Sequence, residues 1–210
     1  MCTCSDICFT AGRVSCYQSN PELVHWQAVK RILRYLRGTT DLMLTYSGSD
    51  LRMRGYSDVD WASDKDERKS TSGYAFVLGD GAITCCSKKQ TYIALSMMES
   101  EYVACLAAVQ EAVWLRSFLQ RLSVSSIQTT LYLYIVTVQP FPWAFTKDPK
   151  FHGKAKHIDI RYHYTRDMVA QGEVVLKHIS TYNMLVDPLT KPIARDVYLV
   201  HIRNLGLRRN

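Results

Sequence analysis

The chain has 210 residues, a length that suits one globular domain with a short appended segment and excludes two full domains. Hydrophobic residues make up 47% of it and charged residues 21%, so it can bury a core, and wholesale disorder is excluded. Lysine and arginine total 26 against 19 acidic residues, a net charge of +7 that favours a polyanionic partner such as nucleic acid.

The sequence also bears on location and redox state. No run reaches the roughly 18 apolar residues of a membrane span, so no membrane partner is predicted. The first residues lack a basic start followed by an apolar segment, so no secretory signal is predicted and an intracellular location is expected, cytoplasm and nucleus being indistinguishable. The seven cysteines are odd in number and form no Cys-x-x-Cys pair, which indicates reduced thiols.

The first predicted element is a helix over 22–37. Asn20 is its expected N-cap, Pro21 takes the first helical position and Gly38 follows its end. The turn-rich segment 39–50 is expected to separate this helix from the rest of the chain.

Three successive strands follow. Residues 51–58 alternate in polarity, and the aromatic and β-branched runs 71–78 and 82–87 flank the turn signal Gly79-Asp80-Gly81, which indicates a hairpin.

Helices and strands then alternate. The predicted elements are a helix from a capping box at Ser96 to about Leu122, a strand over 129–138, a helix over 158–170, a strand over 173–179, and helical structure from Asn183 interrupted at Pro188 and Pro192. This order predicts an α/β fold, a sandwich of helices around a mixed sheet.

Two carboxylates stand at element ends, where acidic groups from separate elements can hold magnesium beside a phosphodiester. Asp58 ends the first strand of the sheet. Glu101 lies in the first turns of the long helix, on a small apolar stripe with Cys105 and Ala108, so it points inward, where its charge is costly without a cation. The alternative, a glutamate that stabilises the helix N-terminus, describes Glu99 better.

A set of motifs carries a resemblance to a known family. In chain order they are Tyr56-Ser57-Asp58-x-Asp60-Trp61-Ala62, Lys69-Ser70-Thr71-Ser72-Gly73-Tyr74, Ser87-Lys88-Lys89-Gln90, Ala94-Leu95-Ser96 leading to Glu99-x-Glu101-Tyr102, Trp114-Leu115, Lys156-His157-Ile158-Asp159 and Val186-Asp187-Pro188-Leu189-Thr190-Lys191. As an ordered set they resemble the ribonuclease H region of copia-type LTR retrotransposon Pol polyproteins.

The resemblance implies a ribonuclease H-like fold, a five-stranded mixed sheet flanked by helices, with an N-terminal helical extension. It divides the chain into 1–48, similar to the tail that connects reverse transcriptase to this domain, and 49–210, the ribonuclease H-like domain. The Tyr-x-Asp-Asp polymerase signature is absent from the sequence, so the chain is not expected to polymerise DNA.

The implied activity is endonucleolytic cleavage of the RNA strand of an RNA–DNA hybrid with two Mg²⁺ ions. By position, Asp58, Glu101 and Asp187 match three of the family's four acidic ligands, and they are the implied catalytic and metal-binding residues. The implied partners are the RNA–DNA hybrid and the reverse transcriptase and integrase regions of the same polyprotein.

The third acidic ligand of the family falls on Val138, which supplies no oxygen to a hard cation. Asp148 lies past two prolines and is a poor substitute, and Pro140 and Pro142 stand where the family begins a helix. These departures indicate an impaired enzyme. True decay of the gene and a reading-frame or splicing error both remain open as their origin.

The histidines offer weaker hypotheses. His152, His157 and His163 are too widely spaced for a typical zinc site, and contacts with nucleic acid or solvent are favoured for them. His178 is either a mobile histidine near the active site or an ordinary strand residue. Three functional interpretations stay open: an impaired ribonuclease H, a non-catalytic nucleic-acid-binding remnant, and a transcribed relic with no selected role.

Overall fold

The structure is a computed structural model that describes residues 4–46, 52–64, 66–122, 128–135 and 156–209, with side chains described in these ranges except at 128–130 and 156–162. Its helices are α1 (Cys8–Ser15), α2 (Leu23–Gly38), α3 (Met97–Arg121), α4 (Lys156–Ala170), α5 (Asp187–Thr190) and α6 (Arg195–Asn204), with a 3₁₀ turn at Thr181–Asn183. Its strands are β1 (Leu42–Leu44), β2 (Arg52–Asp60), β3 (Thr71–Leu78), β4 (Gly81–Lys89), β5 (Gln128–Ile135), β6 (Val174–His178) and β7 (Leu207–Arg209).

The main sheet has five strands in the order β4-β3-β2-β5-β6. β2, β3 and β4 form an antiparallel meander, and β5 and β6 add in parallel beside β2. The β3–β4 turn is tight because Gly79 takes a positive φ of 61°. The predicted α/β fold with a five-stranded mixed sheet flanked by helices is confirmed.

The two faces of the sheet bury separate apolar clusters, because successive side chains of a strand point to opposite faces. On one face, α3 packs against β2, β3 and β5, and Phe76, Val109 and Leu133 are fully buried there. On the other face, α1 and α5 cover β3 and β4, with Ala75 and Leu189 in that core.

The long helix α3 begins at the predicted N-cap Ser96, but the Glu99 side chain bonds to Leu95 rather than to Ser96, so the predicted capping box is only half formed. Ser96 Oγ accepts a hydrogen bond from the backbone N–H of Glu99 at 3.1 Å, and Glu99 Oε2 accepts one from the N–H of Leu95 at 2.7 Å. By length and composition α3 is apolar enough to cross a membrane, with a mean hydropathy of 1.2 in its richest window. Its packing against the sheet accounts for that composition.

Helix α2 begins one residue later than predicted and is capped differently. Glu22, not Asn20, is the N-cap, and the backbone N–H of Glu22 donates to His25 Nδ1 at 2.9 Å in a reciprocal capping box. Gly38 is the last helical residue rather than the first beyond the helix. The local pairing of Glu22 with His25 outweighs the Asn-Pro signal on which the prediction relied.

The segment 39–50 is more than the predicted separator. Within it, β1 pairs antiparallel with β7. Gly206 makes this small sheet possible: its φ is +91°, and an added Cβ would lie 2.7 Å from Gly81 Cα. Strands of three residues leave no readable periodicity, so neither was predicted.

The described cysteines are reduced thiols, as predicted: Cys4, Cys8, Cys16, Cys85, Cys86 and Cys105. Cys2 lies outside the described residues.

Substitution of Leu133, in the centre of the sheet, tests the assignment of the hydrophobic core. Leu133→Ala is expected to lower the free energy of unfolding by about 2–5 kcal/mol in urea titrations, because it removes a fully buried side chain and leaves a cavity. The matched control is Leu95→Ala at a position 89% exposed, which is expected to change stability by less than about 0.5 kcal/mol. Equal losses in the two variants would contradict the assignment of the core.

Candidate active site

The candidate site is built around Asp58, on β2. Its carboxylate is 11% exposed, and its Oδ2 accepts a hydrogen bond of 2.7 Å from Thr190 Oγ1. The short helix α5 therefore anchors directly on the strand that carries the acidic group.

Gly73 on β3 makes this approach possible. It is the cross-strand partner of Asp58 in the β2–β3 register. A Cβ at Gly73 would lie 2.8 Å from Thr190 Cγ2 and 3.0 Å from Leu189 Cβ, closer than side chains tolerate. The missing side chain lets α5 lie against the sheet beside Asp58.

Helix α5 also supplies an acid and a base. Asp187 begins it, with Pro188 in its first turn, and Lys191 follows its last residue. Lys191 Nζ lies 3.0 Å from Asp187 Oδ1 and 3.8 Å from Asp58 Oδ2. One ammonium thus bridges two carboxylates that are both largely buried.

Glu101 faces the same region from α3. Cys105 and Ala108 on its helix stripe are buried, as predicted. Burial and, second, the charge of Asp58 raise the pKa of Glu101 to about 7. Burial raises the pKa of Asp58 as well, with a further increase from Asp187, against the lowering effects of Thr190 and Lys191.

The structure therefore brings the three predicted acidic residues into electrostatic contact in pairs. Asp58 and Asp187 share Lys191, and Glu101 interacts with Asp58. Across the described residues, no three His, Cys, Asp or Glu side chains are grouped so that they could hold a metal ion. The chemical type of the donors still suits a hard divalent cation, since all three are carboxylates.

Other predicted positions contribute less. Val138 and His152 lie outside the described residues, as does the side chain of His157. His163 contacts Arg166 Nη2 at 3.1 Å, and His178 is exposed at the end of β6.

Thr190 and Lys191 are the site residues that the sequence did not single out by role. Both are part of a quoted motif. They follow Asp187 by three and four residues, a spacing that would have placed them on the same face of a helical turn as Asp187. The contact of Thr190 with Asp58 spans 132 residues of sequence and leaves no such signal.

Comparison with known proteins finds relatives that match the chain over nearly its full length. It matches no protein-family model. It is 40% identical over 210 residues, its full length, to the retrovirus-related Pol polyprotein from transposon TNT 1-94 of Nicotiana tabacum, and 36% identical over 204 residues, 96% of its length, to that from transposon RE2 of Arabidopsis thaliana. Its homologues over nearly its full length are thus retrovirus-related Pol polyproteins of copia-type transposons. It spans 16% and 14% of the lengths of these two relatives.

Among solved structures, the chain is similar to the foamy viral protease-reverse transcriptase dRH in complex with double-stranded DNA. The TM-score is 0.54 at 13% identity, covering 76% of this chain and 25% of the other. At that identity the likeness concerns the fold. The sheet order β4-β3-β2-β5-β6 agrees with the five-stranded mixed sheet that the motifs predict.

Gly73→Ala tests the approach of α5 to the sheet. The added methyl group meets Thr190 and Leu189, so we expect the free energy of unfolding to fall by about 1–3 kcal/mol in urea titrations. The control is Gly38→Ala, where a Cβ meets nothing within 4 Å, and there stability is expected to rise by about 0.4–1 kcal/mol. A Gly73→Ala variant as stable as the control would show that α5 does not press on β3.

The pH dependence of stability tests the environment of Glu101. Its pKa of about 7 in the folded protein exceeds the usual 4.5, so the folded state binds the proton more tightly than the unfolded state. This contribution to stability is therefore full below about pH 4.5 and is lost as pH rises to about 7. Urea titrations over this range are expected to show a flatter profile for Glu101→Gln than for the wild type.

Glu111→Gln, further along α3, controls for the removal of one carboxylate. A Glu101→Gln profile no flatter than that of Glu111→Gln would contradict the placement of Glu101 beside Asp58.

Proposed function

We propose that this ribonuclease H-like domain hydrolyses the RNA strand of RNA–DNA hybrids, with an activity impaired by the valine at position 138. The observation that carries the proposal is the meeting of Asp58 and Asp187 at β2 and α5, with Glu101 facing Asp58 from α3. Two largely buried carboxylates beside a partly buried third are costly unless cations compensate them, which favours a site that works on a charged phosphodiester with metal.

Magnesium is the metal that suits these donors. Asp187 Oδ1 is buried and accepts no hydrogen bond of regular geometry from the described residues, although Lys191 Nζ pairs with it by charge at 3.0 Å. Asp58, Glu101 and Asp187 would hold Mg²⁺, which supplies an activated water and stabilises charge on the phosphodiester oxygens.

The chain's own residues prepare this site. The hydroxyl of Thr190 orients the carboxylate of Asp58. Near neutral pH the carboxyl of Glu101 exchanges its proton readily, since burial and Asp58 raise its pKa to about 7. Loss of that proton would complete the negative charge that a metal requires.

The partner proposed for the domain is the hybrid itself. The net charge of +7 favours a nucleic-acid backbone, whose binding by lysine and arginine releases counterions and so weakens with salt. We also propose that 1–48 acts as the connection to a reverse transcriptase region, and that integrase lies in the same polyprotein, as the Pol names of the relatives suggest.

The residue at position 138 bears on whether the chain is an enzyme or a non-catalytic nucleic-acid-binding remnant. Its valine stands where the family has an acidic ligand, and the residue lies outside the described part of the structure. A chain that binds the hybrid but does not cut it is therefore the second candidate function, favoured by this substitution and by the positive charge.

The test measures Mg²⁺-dependent cleavage and binding of an RNA–DNA hybrid by the purified chain. We expect weak binding that falls steeply between 50 and 200 mM salt, and little cleavage by the wild type. Val138→Asp is expected to raise cleavage by about tenfold or more, because the restored ligand stabilises the transition state.

Asp58→Asn in the Val138→Asp background is the control and should abolish cleavage. Equal cleavage by wild type and Val138→Asp, lost with Asp58→Asn, would contradict impairment. Binding without cleavage in every variant would favour the non-catalytic function, and absence of binding at low salt would overturn both candidates.

A further inference from the structure

The ammonium of Lys191 lies where two buried carboxylates most need a positive charge. Its distances of 3.0 Å to Asp187 Oδ1 and 3.8 Å to Asp58 Oδ2 place one cation against both acids. The side chains of Asp58 and Asp187 are 11% and 14% exposed, so water screens their mutual repulsion poorly. A cation between them offsets that repulsion in the folded protein.

The local structure fixes this cation in place. Asp187 and Lys191 are four residues apart around the single turn of α5, and Thr190 of the same turn donates its hydrogen bond to Asp58. Acid, hydroxyl and ammonium therefore arrive together when α5 docks against Gly73. Lys191 is one-third exposed, which leaves its flexible side chain room to turn outward.

A divalent cation needs the same oxygens. Mg²⁺ binds carboxylate oxygen at about 2.1 Å, and an ammonium 3 Å from that oxygen would repel it strongly. The ammonium and the metal therefore exclude each other at Asp187 Oδ1.

We propose that Lys191 is an internal cation that holds Asp58 and Asp187 together without metal and is displaced when a divalent cation binds. Lys191 acts as a positioning residue through the two acids. The inference rests on the proposed function in one respect, that Asp58 and Asp187 are where the metal binds.

The test compares Lys191→Met, Lys191→Arg and the wild type by thermal unfolding in EDTA and by calorimetric titration with Mn²⁺. Lys191→Met keeps most of the side-chain volume and removes the charge. We expect its Tm in EDTA to fall by about 3 °C or more, and its Mn²⁺ affinity to rise by about tenfold or more because the competing charge is gone. Lys191→Arg retains a cation and is expected to restore the Tm and the weaker Mn²⁺ affinity.

Two controls make the result specific. Lys88→Met removes a lysine charge from an exposed position on β4 and is expected to change neither Tm nor Mn²⁺ affinity. Adding Asp187→Asn to Lys191→Met should remove the gained Mn²⁺ affinity, which would locate the metal at this pair.

Each remaining outcome overturns the proposal. Mn²⁺ affinity of Lys191→Met equal to that of the wild type contradicts displacement, as does a complete lack of binding by Lys191→Met. An unchanged Tm in EDTA contradicts the role of Lys191 as the metal-free cation. Neither measurement uses hybrid cleavage. A chain that shows the expected changes in Tm and Mn²⁺ affinity but no cleavage would contradict only the proposed activity. A chain that cleaves the hybrid without those changes would contradict only the proposed role of Lys191.

Discussion

The hydrogen bond from Thr190 to Asp58 is the contact on which the site depends, and it exists because Gly73 lacks a side chain. In the antiparallel register Gly73 stands directly across from Asp58, so the gap and the acid occupy the same level of the sheet. Through that gap a helix of one turn reaches the sheet and carries Asp187 and Lys191 with it. The absence of a side chain at Gly73 therefore determines how closely Asp187 and Lys191 approach Asp58.

The burial and the charges of these residues shift the pKa values of the site's carboxyl groups. Burial raises the pKa of Glu101 and of Asp58, because each charged form loses water, and neighbouring acids raise both further. Thr190 and Lys191 oppose this at Asp58. A divalent cation at the site would stabilise the ionised forms of Glu101 and Asp58. The carboxyl groups that resist ionisation without the cation would then become its ligands.

The sequence predicted the parts of the fold that have strong local signals. β2, β3, β4 and α3 followed from alternation, a Gly-Asp-Gly turn and a capping box, and Asp58 and Glu101 followed from their places at element ends. The β1–β7 pair and the cap of α2 were missed, since three-residue strands have no period and a Glu–His cap has no common motif. Lys191 was missed in its role because its partner on β2 is remote in sequence.

The pairing of β1 with β7 has a consequence for how the chain is made. Thr45 donates a hydrogen bond to the carbonyl of Gly206 across 161 residues, so the partner of β1 is synthesised well after β1 itself. At 5–20 residues per second, β1 waits about 8–30 seconds with its backbone groups unpaired. β1 can therefore pair only after β7 has been synthesised. A nascent chain arrested before Gly206 would keep an open strand edge available to other chains.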